Sequence, residues 1–313
     1  MSAMIGIDIG GTKIAVGVVD ENGTILASRR HPTPSNNRDD IIDACAALVK
    51  ELSDEIPVAG IGVGAAGFVD DTRSNIIFAP NLAWTNEPLR DKLEQATGLP
   101  TVIENDANAA AWAEFRFGAA RGASNVIVVT VGTGIGGGII IDGQLLRGSA
   151  GFAGEIGHLK VKLNGRRCGC GQFGCWERYG SGRALVHEAH ELAQYDAPRA
   201  KRLIELAGGD PLDITGLHIS QAAAEGDPAA IECFDMVGTW LGIGMADLSA
   251  VLAPEMFVLA GGVSEAGELL RAPAIRALKA NLTAQSYRPN PKVVLATLGN
   301  DAGIIGAADL ARV

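Results

Sequence analysis

Short runs of apolar residues open the chain and recur near its middle. MIGIDI, KIAVGVV and TILASRR predict three strands, which are joined by a Gly-Gly-Thr turn and a Glu-Asn-Gly turn. Because turns this short join antiparallel neighbours, the three strands predict a meander. NVIVVTV, GGGIII and QLLRG repeat the plan, with a Gly-Thr-Gly turn and the hairpin dipeptide Asp142-Gly143 between them. A unit that occurs twice predicts two similar halves.

Helical and strand patterns alternate in the rest of each half. In the first half they are a helix at about 38–55, strands at Val58–Gly64 and Thr101–Glu104, and a helix from about Asp106 to Phe117. In the second half they are helical segments at about 181–207 and 228–250, strands at Met256–Ala260 and Lys292–Ala296 with a helix between them, and a final helix at Gly303–Ala311. Such alternation predicts α/β halves. The repeat places one domain at residues 1–117 with a C-terminal helix at about 300–313, and the other at 118–299.

Composition argues against several classes of protein. The 313 residues are 47% hydrophobic, which is enough to fill real cores. The net charge is −10 and the basic residues do not cluster beyond short pairs such as Arg166-Arg167, so we expect neither nucleic acid nor a membrane surface as a partner. The sequence does not open with a secretion signal, and Gly, Thr or Asp interrupts its most apolar segments, so we expect no membrane span. These features predict a cytoplasmic protein.

Glycine turns follow the first strand of each meander. DIGGTK, Asp8–Lys13, offers backbone N–H groups that an anion can approach closely, and Thr12 and Lys13 add a hydroxyl and a positive charge. A glycine hairpin with a polar tip explains this motif equally well. The matching turn Gly132-Thr133-Gly134 favours phosphate binding, because two such loops in equivalent halves would face a cleft that fits a nucleoside triphosphate. Gly261-Gly262 follows a strand, where open α/β sheets bind ligands and where an adenosine would fit.

Asp106 stands in IENDANAAA, where a strand ends and a helix begins. Asp is a preferred N-cap and its charge suits the helix dipole, so capping alone is one explanation. A carboxylate in this place is also able to accept the proton of a hydroxyl that attacks phosphorus. Its ordinary pKa of about 3.9 makes it a weak base, but phosphoryl transfer depends as much on orienting the nucleophile as on removing its proton.

Three of the five cysteines crowd into eight residues. The spacing His158, Cys168, Cys170, Cys175 supplies one imidazole and three thiolates, the closed tetrahedral set of a structural Zn²⁺ site. Clustering of this kind favours a metal over disulfides in a protein without a secretion signal. Such a site would also fix two nearby carboxylates, Glu155 and Glu177, relative to each other. The distant Cys45 and Cys233 fit buried core positions.

Four motifs, DIGGTK, ENDANAAA, VGTGIGGG and GEIGH with CGCGQFGCWE, occur in the order found in the ROK family of bacterial sugar kinases and sugar-responsive repressors. The chain resembles this family over essentially its whole length, and within it the ATP-dependent glucokinase branch. The resemblance implies the actin-like ATPase (ribonuclease H-like) fold, with two similar α/β domains around a cleft, in a homodimer or homotetramer. It implies phosphorylation of glucose at the 6-hydroxyl with ATP and Mg²⁺.

The resemblance also implies roles for individual residues. Asp106 corresponds to the catalytic base. The sugar-binding positions correspond to Asn81, Asn105, Asp106, Glu155, His158 and Glu177. The ATP-binding positions correspond to Asp8, Gly10, Gly11, Thr12, Lys13, Thr133, Gly134, Gly261 and Gly262. In the family the motif histidine, here His158, is both a zinc ligand and a neighbour of the sugar.

Two alternatives remain open at this stage. The first keeps the kinase chemistry but changes the acceptor to another hexose or an N-acetylhexosamine, or the donor to polyphosphate, which we expect to bring a basic groove. The second is a sugar-responsive repressor, which would need a DNA-binding helix-turn-helix that we do not expect in this acidic chain.

Overall fold

The computed structural model of the chain describes residues 2–34 and 38–313, with Arg38 and Pro80 described by their backbone only. The strands are β1 (Ala3–Ile9), β2 (Lys13–Val19), β3 (Ile25–Pro32), β4 (Val58–Ala65), β5 (Phe68–Val69), β6 (Ile76–Ala79), β7 (Trp84–Glu87), β8 (Thr101–Asn105), β9 (Val126–Val131), β10 (Ile135–Ile141), β11 (Gln144–Leu145), β12 (Met256–Ala260) and β13 (Lys292–Leu295). The helices are α1 (Arg38–Glu55), α2 (Leu89–Thr97), α3 (Asp106–Arg116), α4 (Glu177–Gly180), α5 (Gly182–Tyr195), α6 (Lys201–Leu206), α7 (Gly216–Ala224), α8 (Pro228–Leu252), α9 (Glu268–Asn281) and α10 (Ala302–Leu310).

The chain divides into two compact units. Unit 1 consists of Met1–Val128, Gly137–Gly154 and Thr297–Val313, and unit 2 consists of Val129–Gly136 and Glu155–Ala296. The domain boundaries expected from the sequence, 1–117 with about 300–313 and 118–299, stay a prediction.

The main sheet of unit 1 has the order β3-β2-β1-β4-β8. β1, β2 and β3 form the antiparallel meander predicted from their short turns, and β1, β4 and β8 pair in parallel. Alternate apolar residues of these strands, with the buried faces of α1 and α2, form a core in which Ile5, Ile7, Ile61 and Val63 have no exposed surface. Burial of this extent is the main source of stability for the sheet.

Helix α10, from the end of the chain, lies directly on this sheet. A Cβ at Gly6 would collide with the carbonyl oxygen of Ile304, and a Cβ at Gly62 would collide with that of Ala307. Glycine is therefore required where helix and strands touch. The buried carboxylate of Asp309 accepts hydrogen bonds from Trp112 Nε1 (2.9 Å) and Arg116 Nε (3.0 Å), which ties α10 to α3.

The second five-stranded sheet has the order β11-β10-β9-β12-β13. The arrangement matches that of the first sheet, because the three strands of a meander are followed at one edge by two strands that pair in parallel. The duplication predicted from the two meanders is therefore confirmed.

Among the described residues, one helix, α8, is long and apolar enough to cross a membrane by length and composition alone. The expectation that Gly, Thr or Asp would interrupt every such segment is wrong for α8, which continues through residues of all three types; that the protein has no membrane span stays a prediction. Of its most apolar window 61% is buried, as in the core helices of soluble proteins. Gly238 and Gly242 allow this burial, since a Cβ at either would collide with α9 at Pro273 or Ala274.

Several elements differ from the prediction. The helical stretch expected at about 181–207 is two helices, α5 and α6, with a break at Asp196-Ala-Pro198, where proline removes a backbone donor. QLLRG is extended only at Gln144–Leu145. The small antiparallel sheet β5-β6-β7 and the helices α2 and α7 were not predicted.

Candidate active site

The turn from β8 into α3 in unit 1 carries the candidate base. Asn105, and not Asp106, is the N-cap, because its side-chain oxygen accepts hydrogen bonds from the N–H groups of Ala107 (2.9 Å) and Asn108 (3.1 Å). Its side-chain nitrogen donates to the carbonyl oxygen of Gly67 (3.1 Å). Asp106 is the first residue of the helix. The capping explanation considered for Asp106 is therefore wrong, since its neighbour caps the helix.

The Asp106 carboxylate lies in a desolvated environment. Burial raises its pKa above the ordinary aspartate value, while a hydrogen bond from the Ala107 N–H (2.9 Å) acts in the opposite direction. A raised pKa makes this carboxylate a stronger base than an exposed aspartate.

Asp8 lies close enough to Asp106 for the two charges to repel each other. Burial, and then this repulsion, raise the pKa of Asp8 to about 6, and the charge of Lys13 lowers it in part. Two carboxylates in one desolvated place are unfavourable without a cation. A positively charged ligand beside the pair would relieve this repulsion.

The glycine turn that follows Asp8 is held in shape by its neighbours. The Gly10 N–H donates to the carbonyl oxygen of Lys13 (3.0 Å), and the hydroxyl of Thr33 donates to the carbonyl oxygen of Gly10 (2.6 Å). Gly11, Thr12 and Lys13 are exposed at its tip. A Cβ at Gly11 would lie 3.4 Å from the Cβ of Asn81, so unit 1 brings this predicted sugar-binding residue beside the turn.

In unit 2 the predicted zinc ligands converge. The ligand atoms of His158, Cys168, Cys170 and Cys175 all lie within 4.8 Å of one another. Cys170 Sγ is 3.6 Å from Cys175 Sγ, and Cys168 Sγ is 3.7 Å from His158 Nδ1. A tetrahedral zinc with Zn–S bonds of about 2.3 Å separates its ligand atoms by about 3.5–3.8 Å. The donor set and its spacing fit a closed Zn²⁺ site.

Two predicted sugar-binding carboxylates of unit 2 lie beside this cluster. His158 directs Nδ1 toward Cys168, and its Nε2 lies 3.9 Å from Glu155 Oε2. Glu177 Oε1 is 2.9 Å from Cys168 Sγ. A Cβ at Gly134 would lie 2.6 Å from Glu177 Oε2, so Glu177 also touches the second glycine turn.

A cavity of about 690 Å³ lies wholly within unit 2. Thr133 of the glycine turn and Gly262 line it, as predicted for a nucleotide site, whereas Gly134 and Gly261 are not among its lining residues. Gly182 and Gly216, the first residues of α5 and α7, also line it. Helix N-termini favour anions, and the remaining lining is largely apolar, which suits a base and its phosphates.

Residues 4–313 match the model of the ROK family. The chain belongs to the ROK family. A glucokinase of Streptomyces coelicolor is 48% identical to it over 312 residues, which cover 100% of this chain and 98% of the relative. A glucokinase of Thermotoga maritima is 36% identical over 311 residues, which cover 99% and 97%.

A solved structure is similar over the same length. It is a ROK family glucokinase from Streptomyces griseus in complex with glucose and AMPPNP, with a TM-score of 0.89, 50% identity and coverage of 99% of both chains. These comparisons confirm the family and the fold class predicted from the motifs.

Sequence reasoning missed part of the cavity of this ROK protein. Arg183, Leu217 and Phe234 line it but lie in α5, α7 and α8, which carry no nucleotide motif. Leu217 is 82% exposed, an unusual position for a large apolar side chain. The local sequence signal for this part of the cavity was Ser181-Gly182, which marks the start of a helix after the cysteine cluster.

Proposed function

We propose that this chain catalyses the ATP-dependent phosphorylation of glucose to glucose 6-phosphate, with Asp106 as the base for the 6-hydroxyl. The observation that carries the assignment is the environment of Asp106. Because Asn105 caps α3, the helix does not need the Asp106 side chain as a cap, yet the Asp106 carboxylate is buried there and burial raises its pKa. A carboxylate perturbed in this way is typical of a catalytic group.

The relatives support the choice of substrate. Two proteins that are 48% and 36% identical over the full chain are glucokinases, and the structure with a TM-score of 0.89 is that of a glucokinase with glucose and AMPPNP. AMPPNP has the shape and charge of ATP, so the donor we assign is ATP.

Asp106 would accept a hydrogen bond from the 6-hydroxyl and take its proton as the oxygen attacks the terminal phosphorus, while the bond from that phosphorus to the bridging oxygen breaks and ADP leaves. Asp8 is the carboxylate that would hold the Mg²⁺ of Mg-ATP, since its pKa near 6 leaves it largely ionised above neutral pH and its repulsion from Asp106 favours a cation. Mg²⁺ supplies charge neutralisation on the phosphates. Backbone N–H groups of the glycine turns, with Thr12 and Lys13, would donate to the phosphate oxygens.

The remaining contacts are assigned from the motifs. We assign sugar binding to Asn81, Asn105 and Asp106 in unit 1 and to Glu155, His158 and Glu177 in unit 2. We assign nucleotide binding to Asp8, Gly10, Gly11, Thr12, Lys13, Thr133, Gly134, Gly261 and Gly262. Structural Zn²⁺ on His158 and the three clustered cysteines would hold the carboxylates of unit 2 in place. We expect a cytoplasmic homodimer or homotetramer.

A coupled assay of ADP release tests the proposal. The acceptors are glucose, mannose, fructose, N-acetylglucosamine and N-acetylmannosamine, with Mg-ATP as donor and polyphosphate as a second donor. We expect kcat/KM to be highest for glucose with ATP. A higher kcat/KM for another sugar or for polyphosphate would change the assigned acceptor or donor but keep the kinase reaction. Activity with none of them, in protein loaded with zinc, would refute it and favour a sugar-responsive repressor, to be tested by DNA binding that a hexose releases.

A further inference from the structure

Glu104, the residue before the cap of α3, is a carboxylate with 1% exposed surface. A buried carboxylate is costly unless several groups satisfy it. Its Oε1 accepts hydrogen bonds from the Asn105 N–H and from Asn108 Nδ2, both at 3.0 Å. One oxygen of Glu104 is therefore hydrogen-bonded to Asn105 and Asn108, which flank Asp106 in the sequence.

The other oxygen of Glu104 faces two arginines. Arg147 Nε lies 2.9 Å from Glu104 Oε2, and Arg73 Nε lies 3.5 Å from it. The Arg147 side chain is only 16% exposed, so the closer pair is shielded from water and its geometry is restricted.

Arg147 is in turn fixed by backbone groups. Its two terminal nitrogens donate to the carbonyl oxygens of Asp70 (2.7 Å) and Asp71 (2.9 Å). Its own carbonyl oxygen accepts from the Ala153 N–H (3.0 Å), which closes the loop 147–153. Arg147 therefore joins three segments of unit 1: the turn after β5, this loop, and the end of β8 that leads into α3.

The loop is packed against the same place in the fold. A Cβ at Gly154 would lie 2.9 Å from the carbonyl oxygen of Gly137 and 3.4 Å from Asn108 Oδ1. Asn108 is thus held between Glu104 on one side and the end of the loop on the other.

We propose that Glu104 and Arg147 are positioning residues for Asp106. This inference rests on the proposed function. The pair fixes the first turn of α3, and with it the direction of the Asp106 carboxylate, against the loop 147–153. A base that is misplaced by about 1 Å loses on the order of 100-fold in rate while the substrate sites stay formed.

The test compares Glu104→Gln, Arg147→Met and the double variant with the wild type in the ADP-release assay, well below the lowest melting temperature. Glu104→Gln keeps an acceptor for Asn105 and Asn108 but removes the charge that faces the arginines. The double variant removes both charges. It can still be assayed if a single variant fails to fold because one buried charge has lost its partner. Asp309→Asn is the matched control, because it also removes the charge from a buried carboxylate that contacts an arginine, but its partners Trp112 and Arg116 lie in the later turns of α3.

We expect each Glu104 or Arg147 variant to lose 10- to 100-fold in kcat, with KM for ATP and the Kd of glucose within threefold. The double variant should lose no more than the worse single variant, because the two residues act as a unit. Amide hydrogen exchange at 105–108 should become faster in these variants and not in Asp309→Asn, whose kcat should stay within threefold.

Unchanged kcat and unchanged exchange at 105–108 in folded Glu104 and Arg147 variants would overturn the proposal and leave the proposed function intact. Equal losses of kcat in Asp309→Asn would also overturn it, because the effect would then be one of general stability. A wild-type protein without hexokinase activity would overturn the proposed function and this inference with it.

Discussion

Replacing Asp106 with asparagine separates its proposed role as a base from any role in the fold. The amide keeps an oxygen that accepts from the Ala107 N–H, and the cap of α3 is untouched because Asn105 provides it. The shape of the site is therefore retained. Only the ability to take a proton is lost.

The expected loss in kcat is about 10²- to 10⁴-fold, the usual contribution of a general base, which corresponds to about 3–5 kcal/mol in the activation free energy. The melting temperature of the unliganded protein should stay level or rise. Burial raises the pKa of Asp106, which means that its ionised form is unfavourable in the folded state at neutral pH, and a neutral amide removes that cost. Lower activity with equal or higher stability is a combination that damage to the fold does not produce.

The assay is ADP release at saturating Mg-ATP and glucose, with the Kd of glucose from calorimetry and the melting temperature of the same preparation. We expect the Kd to stay within about threefold, because an amide still forms hydrogen bonds with a hydroxyl. A kcat within tenfold of the wild type would show that Asp106 is not the base. A drop in both melting temperature and glucose affinity would show a structural role instead.

Three further predictions concern other parts of the chain. Because the folded-state pKa of Asp8 is about 6 and its ordinary value is 3.8, the unliganded protein should lose up to about 3 kcal/mol of stability as the pH rises from 4 through 6. Asp8→Asn should reduce this pH dependence, measured by urea unfolding at a series of pH values, and should also lower kcat. An unchanged pH dependence of stability in Asp8→Asn would contradict the raised pKa. Cys170→Ser should lower the amount of bound zinc, measured by atomic absorption. It should also raise KM for glucose, because the metal would fix the position of His158. A full zinc content in this variant would argue against the ligand assignment. Gly62→Val should destabilise the protein by about 3 kcal/mol in urea unfolding, because the new side chain collides with the Ala307 carbonyl group, and a loss below 0.5 kcal/mol would mean that α10 does not lie so close to β4.

The parts of the fold that the sequence predicted depend on local signals. Both meanders follow from short apolar runs and tight turns, and their repetition predicted two similar halves, in agreement with the matching sheet orders. The small sheet β5-β6-β7 was not predictable in this way, because strands of two to four residues are defined by their partners rather than by a pattern. The break between α5 and α6 had a local cause in Pro198, which outweighed the helical periodicity around it.

The candidate site shows the same limit. The four residues of the candidate zinc site were predictable from residue type and spacing, and they converge in the structure. The identity of the N-cap was not predictable from the sequence, because asparagine and aspartate are both preferred caps. In the fold, the Asn105 side chain is held in the capping position by its hydrogen bond to the carbonyl oxygen of Gly67. Glu104 and Arg147 are 43 positions apart in the sequence, and only the fold brings the two charges together.

The position of α10 affects how the protein is made. The helix that covers the sheet residues Gly6 and Gly62 follows them in the chain beyond all of unit 2, so it leaves the ribosome only after unit 2 has been made. Unit 1 therefore cannot complete its core before unit 2 has been synthesised, contrary to the usual order in which N-terminal domains fold first. A ribosome that stalls before residue 297 would release a chain with this glycine surface uncovered, and such a product is a natural substrate for chaperones and proteases.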